Sequence, residues 1–501
     1  MTNDLLTIDQ TGPTTNAGAV EVLRDRELLV VTNRQPYRHT QGEGGISVDR
    51  PTGGLTAGLD PVMRRMGGTW IAWGDGERDV EMVDARDCVA VPPDEPSYEL
   101  RRVWLTEAQV TEYYYGYCNQ LLWPVCHSAL TRVRASHEGW NRYQEVNKQF
   151  ADAVIEQVWE RPLVWFHDYH LGLAPRYVRR ALGDGPLLMH FWHIPWPAWD
   201  VYRAIPHRRA LIEGLLSNDL LIFHVPRYRR HFLACANAAV PSATIDRRTG
   251  QVTVEGHVTT VAALPIGVDV EAIREAAISS RADAFWARFR RRHGVTAETR
   301  IGVGVDRLDY TKGLVERLRA LERLWETHPG HRETFTYVQN ASESRSRIPD
   351  YAAVQNQVAA EVERINRRFG TDSWTPIVYL TERLANHELS ALYRHADICI
   401  VSPLRDGLNL VAQEYVAAQT DDDGVLILSD QAGVHDVIGD DTVSIRPTDT
   451  PGFAKAIAQA LAMPPGERVN RMRRLTQWVE ENDLDAWLRA NFRLAMEVQG
   501  P

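Results

Sequence analysis

Short apolar runs of strand length recur along this chain at 28–32, 163–166, 187–192, 220–224, 301–305, 334–338, 377–380, 398–401 and 425–428. Segments whose apolar residues return at helical spacing separate most of them, at 146–160, 171–182, 207–217, 313–327, 351–369 and 386–395. A run that is apolar at every position suits a strand buried on both faces, and strands alternating with helices build parallel sheets covered on either side. The pattern therefore predicts an α/β protein. Its strands fall into two groups, before and after Leu264-Pro265-Ile266-Gly267-Val268-Asp269, where proline and glycine punctuate the chain as a linker would. Two doubly wound domains are expected, over 26–266 and 267–475. Trp478, Trp487 and Phe492 stand among charged residues in 470–497, which reads as amphipathic helix. Residues 476–501 are expected to form a C-terminal helical segment that packs back on the first domain, and residues 1–25, rich in Thr, Asn, Asp and Gly without periodicity, read as a flexible arm.

Composition narrows the class. The 501 residues carry 56 Lys plus Arg against 66 Asp plus Glu, a net charge of −10, with 44% hydrophobic and 24% charged residues. These values belong to an ordinary soluble protein and exclude collagen, disordered tails and disulfide miniproteins. The acidic balance gives no support for nucleic acid or an anionic membrane as partner, although a locally basic pocket could still take an anionic small-molecule substrate; a homo-oligomer is undecided by sequence. Five cysteines, Cys88, Cys118, Cys126, Cys235 and Cys399, are spread without CxxC spacing and read as reduced packing thiols. The N-terminus lacks a basic region followed by an apolar one, and no apolar run approaches the ~20 residues of a membrane span, so the cytoplasm is the expected compartment.

Ligands of doubly wound sheets bind at the carboxyl ends of the strands. After the first strand come Thr32-Asn33-Arg34 and then Thr52-Gly53-Gly54-Leu55; a glycine pair opening a helix either admits an anion to backbone amides or makes a plain turn. Trp165-Phe166-His167-Asp168-Tyr169-His170 closes another run, and its ionisable groups either bind a polar ligand or form a surface turn with Asp168 as helix cap. His193 follows the run 187–192 before Ile194-Pro195. In the second half, Asp306-Arg307-Leu308-Asp309-Tyr310-Thr311-Lys312-Gly313 lets Arg307 and Lys312 converge on a diphosphate, unless they serve as surface ion pairs. Arg345 again places a cation after a strand. In the segment from Ser402 to Tyr415, a glycine turn precedes a helix start, so that Asp406 and Glu414 can hold hydroxyls of a sugar and of a ribose. The same two carboxylates would also suit a hydrolase acid/base pair.

With these residues in view, the chain resembles the trehalose-6-phosphate synthase family, retaining glycosyltransferases of GT-B architecture in which two Rossmann-like doubly wound domains face a central cleft. The resemblance runs from about residue 26 to about residue 490 and rests on TNR, GGL, EYYYGYCNQLLWP, WFHDYH, HIPWP, DRLDYTKG and SPLRDGLNLVAQEYVAAQ in the family's order. It implies transfer of an α-glucosyl group from a nucleotide-glucose to glucose 6-phosphate. Gly54, Arg307, Lys312, Asn409, Leu410, Val411 and Glu414 would then bind the donor. Asp406 would hold hydroxyls of the transferred glucose, with His193 beside that sugar. Asp168 would bind the acceptor's hydroxyls, and Arg34, Tyr114, Trp123 and Arg345 its phosphate; Trp73 is a further member, although Trp70 matches the same position. His193, Asp406, Asp168, Arg307 and Lys312 carry the chemistry on this reading. No cofactor is implied, the nucleotide-glucose being a co-substrate and no metal being required.

The chain departs from the family pattern at Ala341-Ser342, where a proline is expected, and at Thr381-Glu382-Arg383. Both stretches belong to the base pocket by resemblance, so UDP-, GDP- and ADP-glucose stay open, UDP-glucose first. Glucosylglycerol-phosphate synthase, which uses ADP-glucose and glycerol 3-phosphate, is a related alternative suggested by RRVWLTEAQV and FHVPRYRRHF; His170, His193-Ile194-Pro195, Gly53-Gly54-Leu55 and Ser344-Arg345 fit the trehalose enzyme better. A non-catalytic sugar-phosphate sensor on the same fold is the alternative of another class, and it would be expected to have lost Arg307, Lys312, Asp406 or Glu414.

Overall fold

The computed structural model describes Leu23 and residues 26–42, 44–50, 54–157 and 160–498; the expected N-terminal arm, Leu23 apart, and Thr52-Gly53 lie outside the described residues. The chain divides into two compact units, residues 1–265 with 485–501, and residues 266–484.

The first unit is built on strands β1 (Leu28–Thr32), β4 (Thr69–Trp73), β5 (Cys88–Val91), β6 (Tyr98–Val103), β7 (Leu163–His167), β8 (Leu187–Phe191), β9 (Leu220–Phe223) and β10 to β12 (Thr244–Asp246, Gln251–Val254, His257–Ala263), with a separate hairpin of β2 (Arg38–Gly42) and β3 (Gly45–Asp49). Their order in the sheet is β10-β11-β12-β9-β8-β7-β1-β4-β6-β5. The seven from β6 to β12 through β1 are parallel, and antiparallel β5, β10 and β11 finish the edges. β1, β7, β8 and β9 are buried at every position, which is why their sequences are continuously apolar rather than alternating. Chain order reverses between β1 and β7, and the loops that leave those two strands diverge there.

The second unit repeats the plan with β13 (Arg300–Arg307), β14 (Phe335–Ser342), β15 (Ile377–Leu380), β16 (Ile398–Val401), β17 (Val425–Ser429) and β18 (Val443–Ile445). All are parallel, in the order β15-β14-β13-β16-β17-β18, and the reversal falls between β13 and β16. Helices Leu314–Thr327 and Thr450–Leu461 press Leu318, Leu321, Trp325, Phe453 and Ile457 onto the sheet. Gly304 is needed in β13 because a Cβ there would collide with the Tyr337 hydroxyl and the Arg317 guanidinium.

Three expectations need correction. The central and edge strands β4, β5, β6, β10 to β12 and β18 and the hairpin add to the predicted set; β5, β10 and β18 lie at sheet edges, and neither they nor β11 are buried at every position. The stretch 470–497 is not one helix but two, Pro465–Glu481 and Leu484–Val498. The position 475/476 therefore lies inside a helix, and the chain re-enters the first unit only at Asp485. There Trp487 and Phe492 pack 5.4 Å from Trp165, and Trp487 lies 5.2 Å from Phe191. All five cysteines are buried thiols. Among the described residues no helix is long and apolar enough to cross a membrane.

Candidate active site

At the end of β1 the Thr32 hydroxyl accepts from Trp70 Nε1 at 2.7 Å and donates to the Arg34 carbonyl at 2.5 Å, which turns the chain out of the sheet. Asn33 is buried and accepts from the Tyr113 hydroxyl at 2.8 Å. Arg34 is exposed, and its Nη2 donates to the Tyr114 hydroxyl at 3.5 Å. Trp73, the last residue of β4, lies 5.7 Å from the Tyr114 ring, which parallels His170 at 5.8 Å. Arg34, Trp73 and Tyr114 thus form one group. Of the two tryptophans, Trp70 is buried and committed to Thr32, whereas Trp73 is half-buried beside Tyr114. Trp123 is buried, stacks on His127 at 4.1 Å and joins the group through Tyr169 at 5.8 Å.

Tyr113 and Tyr114 come from a π-helix, Val110–Leu122, in which the Trp123 amide donates to the Cys118 carbonyl five residues back. Asn119 Nδ2 and Gln120 Nε2 reach the Tyr114 and Tyr115 carbonyls at 2.7 and 3.1 Å, so side chains reinforce a register that the backbone rarely adopts at this length.

Asp168 follows β7 with φ 68°, a conformation that costs an L-residue roughly 1–3 kcal/mol and persists only when its surroundings impose it. They do so here. The Asp168 amide donates to the Phe191 carbonyl at 2.7 Å, His190 Nε2 donates to the Asp168 carbonyl at 3.0 Å, and the carboxylate accepts from the His193 amide at 3.3 Å. The Asp168 side chain makes no helix-cap hydrogen bond, while its carbonyl accepts from the Leu171 amide at 3.4 Å and closes the turn. His193 Nε2 lies 3.1 Å from His167 Nδ1. Burial, then neighbouring imidazoles, push His193 and His167 well below the usual imidazole range, and burial takes His190 to about 3. Three neutral imidazoles therefore stand at the carboxyl ends of β7 and β8. Gly54 is the first residue of helix Gly54–Met66.

In the second unit Arg307 ends β13, half-buried. Lys312 Nζ donates to Asp406 Oδ2 at 2.6 Å, with side chains 12% and 14% exposed. Asp406 also accepts from the Gly407 amide at 2.9 Å and from Asn409 Nδ2 at 3.0 Å. Asn409, at φ 86°, precedes helix Leu410–Ala418 without capping it; the amides of Leu410 and Val411 open the helix and carry its positive dipole end. One turn in, Glu414 accepts from the Tyr393 hydroxyl at 3.0 Å, and burial raises its carboxyl above the usual range. Lys312, Asp406, Asn409, Leu410 and Val411 are thus gathered at the β13/β16 reversal. Arg345, at φ 47°, rests on Asp309 at 3.4 Å and donates to the Tyr351 hydroxyl at 2.8 Å.

Beneath this edge lies a buried network absent from the sequence expectations. Arg317 pairs with Asp306 at 2.6 Å and donates to Gln339 at 2.9 Å, Tyr337 at 3.2 Å and Ser402 at 2.9 Å. Burial raises the Asp306 carboxyl even against the Arg317 charge. Its signal was present: Arg317 falls at helical spacing between Leu314, Leu318 and Leu321, on the apolar face. At the departures from the family pattern, Asn340 Nδ2 donates to the Leu380 and Glu382 carbonyls at 3.2 and 3.0 Å, tying the end of β14 to the 381–383 stretch. Among the described residues no group of three or more His, Cys, Asp or Glu side chains is placed to hold a metal ion.

Comparison with known proteins agrees with this architecture. A trehalose-6-phosphate synthase of Mycobacterium sp. (strain JLS) is 35% identical over 477 residues, 93% of this chain and 95% of the relative. The UDP-forming α,α-trehalose-phosphate synthase of Burkholderia xenovorans, solved in complex with glucose 6-phosphate, superimposes with a TM-score of 0.83 at 32% identity, covering 95% of this chain and 100% of that one. The Escherichia coli enzyme bound with UDP-2-fluoro glucose gives a TM-score of 0.83 at 30% identity, covering 94% of this chain and 99% of the other. The α/β fold of two Rossmann-like units expected from the resemblance is the fold of these neighbours. Matched over residues 26–496 by the model of glycosyltransferase family 20 and by relatives along nearly its whole length, the chain belongs to that family.

Proposed function

We propose that the chain transfers an α-glucosyl group from UDP-glucose to glucose 6-phosphate with retention, forming α,α-trehalose 6-phosphate and UDP. The observation that carries this reading is the Lys312–Asp406 pair at 2.6 Å beside the uncapped start of helix Leu410–Ala418: a cation, a hydroxyl-binding carboxylate and open amides at one strand end suit a sugar diphosphate. Support for the substrates comes from the solved relatives, one holding glucose 6-phosphate and one a UDP-sugar.

On this reading Arg307, Lys312 and the amides of Gly54, Leu410 and Val411 take the diphosphate charge, Glu414 and Asn409 hold the nucleoside end, and Asp406 the glucose hydroxyls. Arg34, Tyr114, Trp73, Trp123 and Arg345 serve the acceptor phosphate and Asp168 the acceptor hydroxyls. The bond from C1 to the phosphate oxygen breaks as the acceptor oxygen bonds C1 on the same face, and the acceptor's proton passes to that phosphate oxygen. No protein nucleophile enters the step. The cations and amides stabilise the leaving charge, so orientation and electrostatics supply the rate. NMR of the product from UDP-[1-13C]glucose and glucose 6-phosphate tests the stereochemistry: an α,α linkage is expected, and a β linkage would contradict retention.

A further inference from the structure

We propose that His167 is a positioning residue whose Nδ1–H donates to Nε2 of His193, holding His193 in the tautomer that presents Nδ1–H to an oxygen of the transferred sugar. The inference rests on the reading that places His193 beside the donor glucose. Its geometry stands without that reading. The two nitrogens face each other at 3.1 Å, and a contact between neutral imidazoles holds one proton, so one nitrogen donates and the other accepts. Burial keeps both rings neutral.

The direction follows from what lies behind His167. Its ring is buried under Trp165 at 4.5 Å, and its Nε2 has no hydrogen-bond partner among the described residues. Were Nδ1 the acceptor, Nε2 would carry an N–H buried without an acceptor, which protein interiors tolerate less readily than a bare acceptor. His167 therefore keeps its proton on Nδ1 and gives it to His193. The His193 ring cannot swing away, being stacked on Phe191 at 4.5 Å and set edge-on to His224 at 5.3 Å, with its amide tied to Asp168 at 3.3 Å. His190 is the contrast: its Nε2 faces a carbonyl and so must carry the proton. Adjacent histidines thus hold opposite tautomers, one clamping the Asp168 backbone and one directing its neighbour.

Long-range 1H–15N correlation spectra of the full chain labelled at histidine read the tautomer, with His193→Gln giving the assignment. Wild type is expected to show His193 protonated on Nδ1. His167→Phe, which keeps a buried ring but removes the donor, is expected to move that proton to Nε2 and to lower kcat about tenfold or more with both KM values held. His167→Asn, whose amide N–H replaces Nδ1–H, is expected to restore the Nδ1–H tautomer and most of kcat. A wild-type His193 protonated on Nε2, or a His167→Phe protein with unchanged tautomer and kcat, would overturn the proposal; if His167→Phe does not fold, the wild-type spectrum and His167→Asn decide it. The spectra need no substrate, so a wild type that makes no trehalose 6-phosphate contradicts the functional reading while the tautomer is still decided.

Discussion

Lys312 and Asp406 share one short contact, and their proposed roles separate in kinetics. In its proposed role Lys312 stabilises charge that develops as the diphosphate leaves, so Lys312→Ala is expected to lower kcat by about 10²–10³-fold with little change in the KM for glucose 6-phosphate. Arg345, resting on Asp309 and Tyr351, is assigned to the acceptor phosphate. Losing its charged hydrogen bonds in Arg345→Ala is expected to raise that KM by about 10- to 100-fold; an unchanged KM would remove the assignment. Stability has its own residue-scale device behind Arg34. Burial alone would raise the Asp79 carboxyl from 3.8, but hydrogen bonds from His39 and Gln35 and the charge of Arg102 hold it at about 2. A lowered carboxyl stabilises the fold above its unfolded value, and the effect is lost as pH falls from about 4 to about 2. It is worth roughly 2 kcal/mol at neutral pH. The melting-temperature gap between wild type and Asp79→Asn is therefore expected to narrow below pH 4, and a constant gap would contradict the account.

Elements explain why such residues gather within each unit. β1 and β7 in the first unit and β13 and β16 in the second are the neighbours at which chain order reverses, and the loops leaving them carry Arg34, Asp168, Arg307 and Asp406. The turn before helix Leu410–Ala418 is braced from below: a Cβ on Gly433 would strike the Gly407 carbonyl, and backbone would have to yield to backbone. Gly433→Ala is expected to displace Asp406 and Asn409 and raise the KM for the nucleotide-sugar about tenfold, from about 1–2 kcal/mol of misplacement; donor titrations check this, and an unchanged KM would show the turn to be tolerant. Strands such as 398–401 and 425–428 were legible in the sequence because burial at every position leaves a continuous apolar run. β10 and β11 were not, because their positions are mostly exposed or half-buried, and in β5 only Cys88 and Val91 are buried. The Arg34, Trp73 and Tyr114 group is marked in the sequence by family resemblance rather than by periodicity. Its assembly depends on a π-helix whose i→i−5 register leaves no mark in a hydrophobic pattern, and the His167–His193 contact joins two strand ends that local sequence does not relate.

At the scale of the whole molecule the chain builds one Rossmann-like unit, then a second, and returns to the first at Asp485. The returning helix sets Trp487 and Phe492 against Trp165, and Trp487 against Phe191, on the two strands that carry His167, Asp168 and His193. Helix Leu484–Val498 thus supports the strand ends from which these three residues project. The most direct measurement is a product assay in which the purified protein receives UDP-, GDP- or ADP-glucose with either glucose 6-phosphate or glycerol 3-phosphate, the product being identified by mass spectrometry and NMR. The account predicts trehalose 6-phosphate, formed with UDP-glucose and glucose 6-phosphate. Glucosylglycerol phosphate as the product, or no product from any pair, would contradict it.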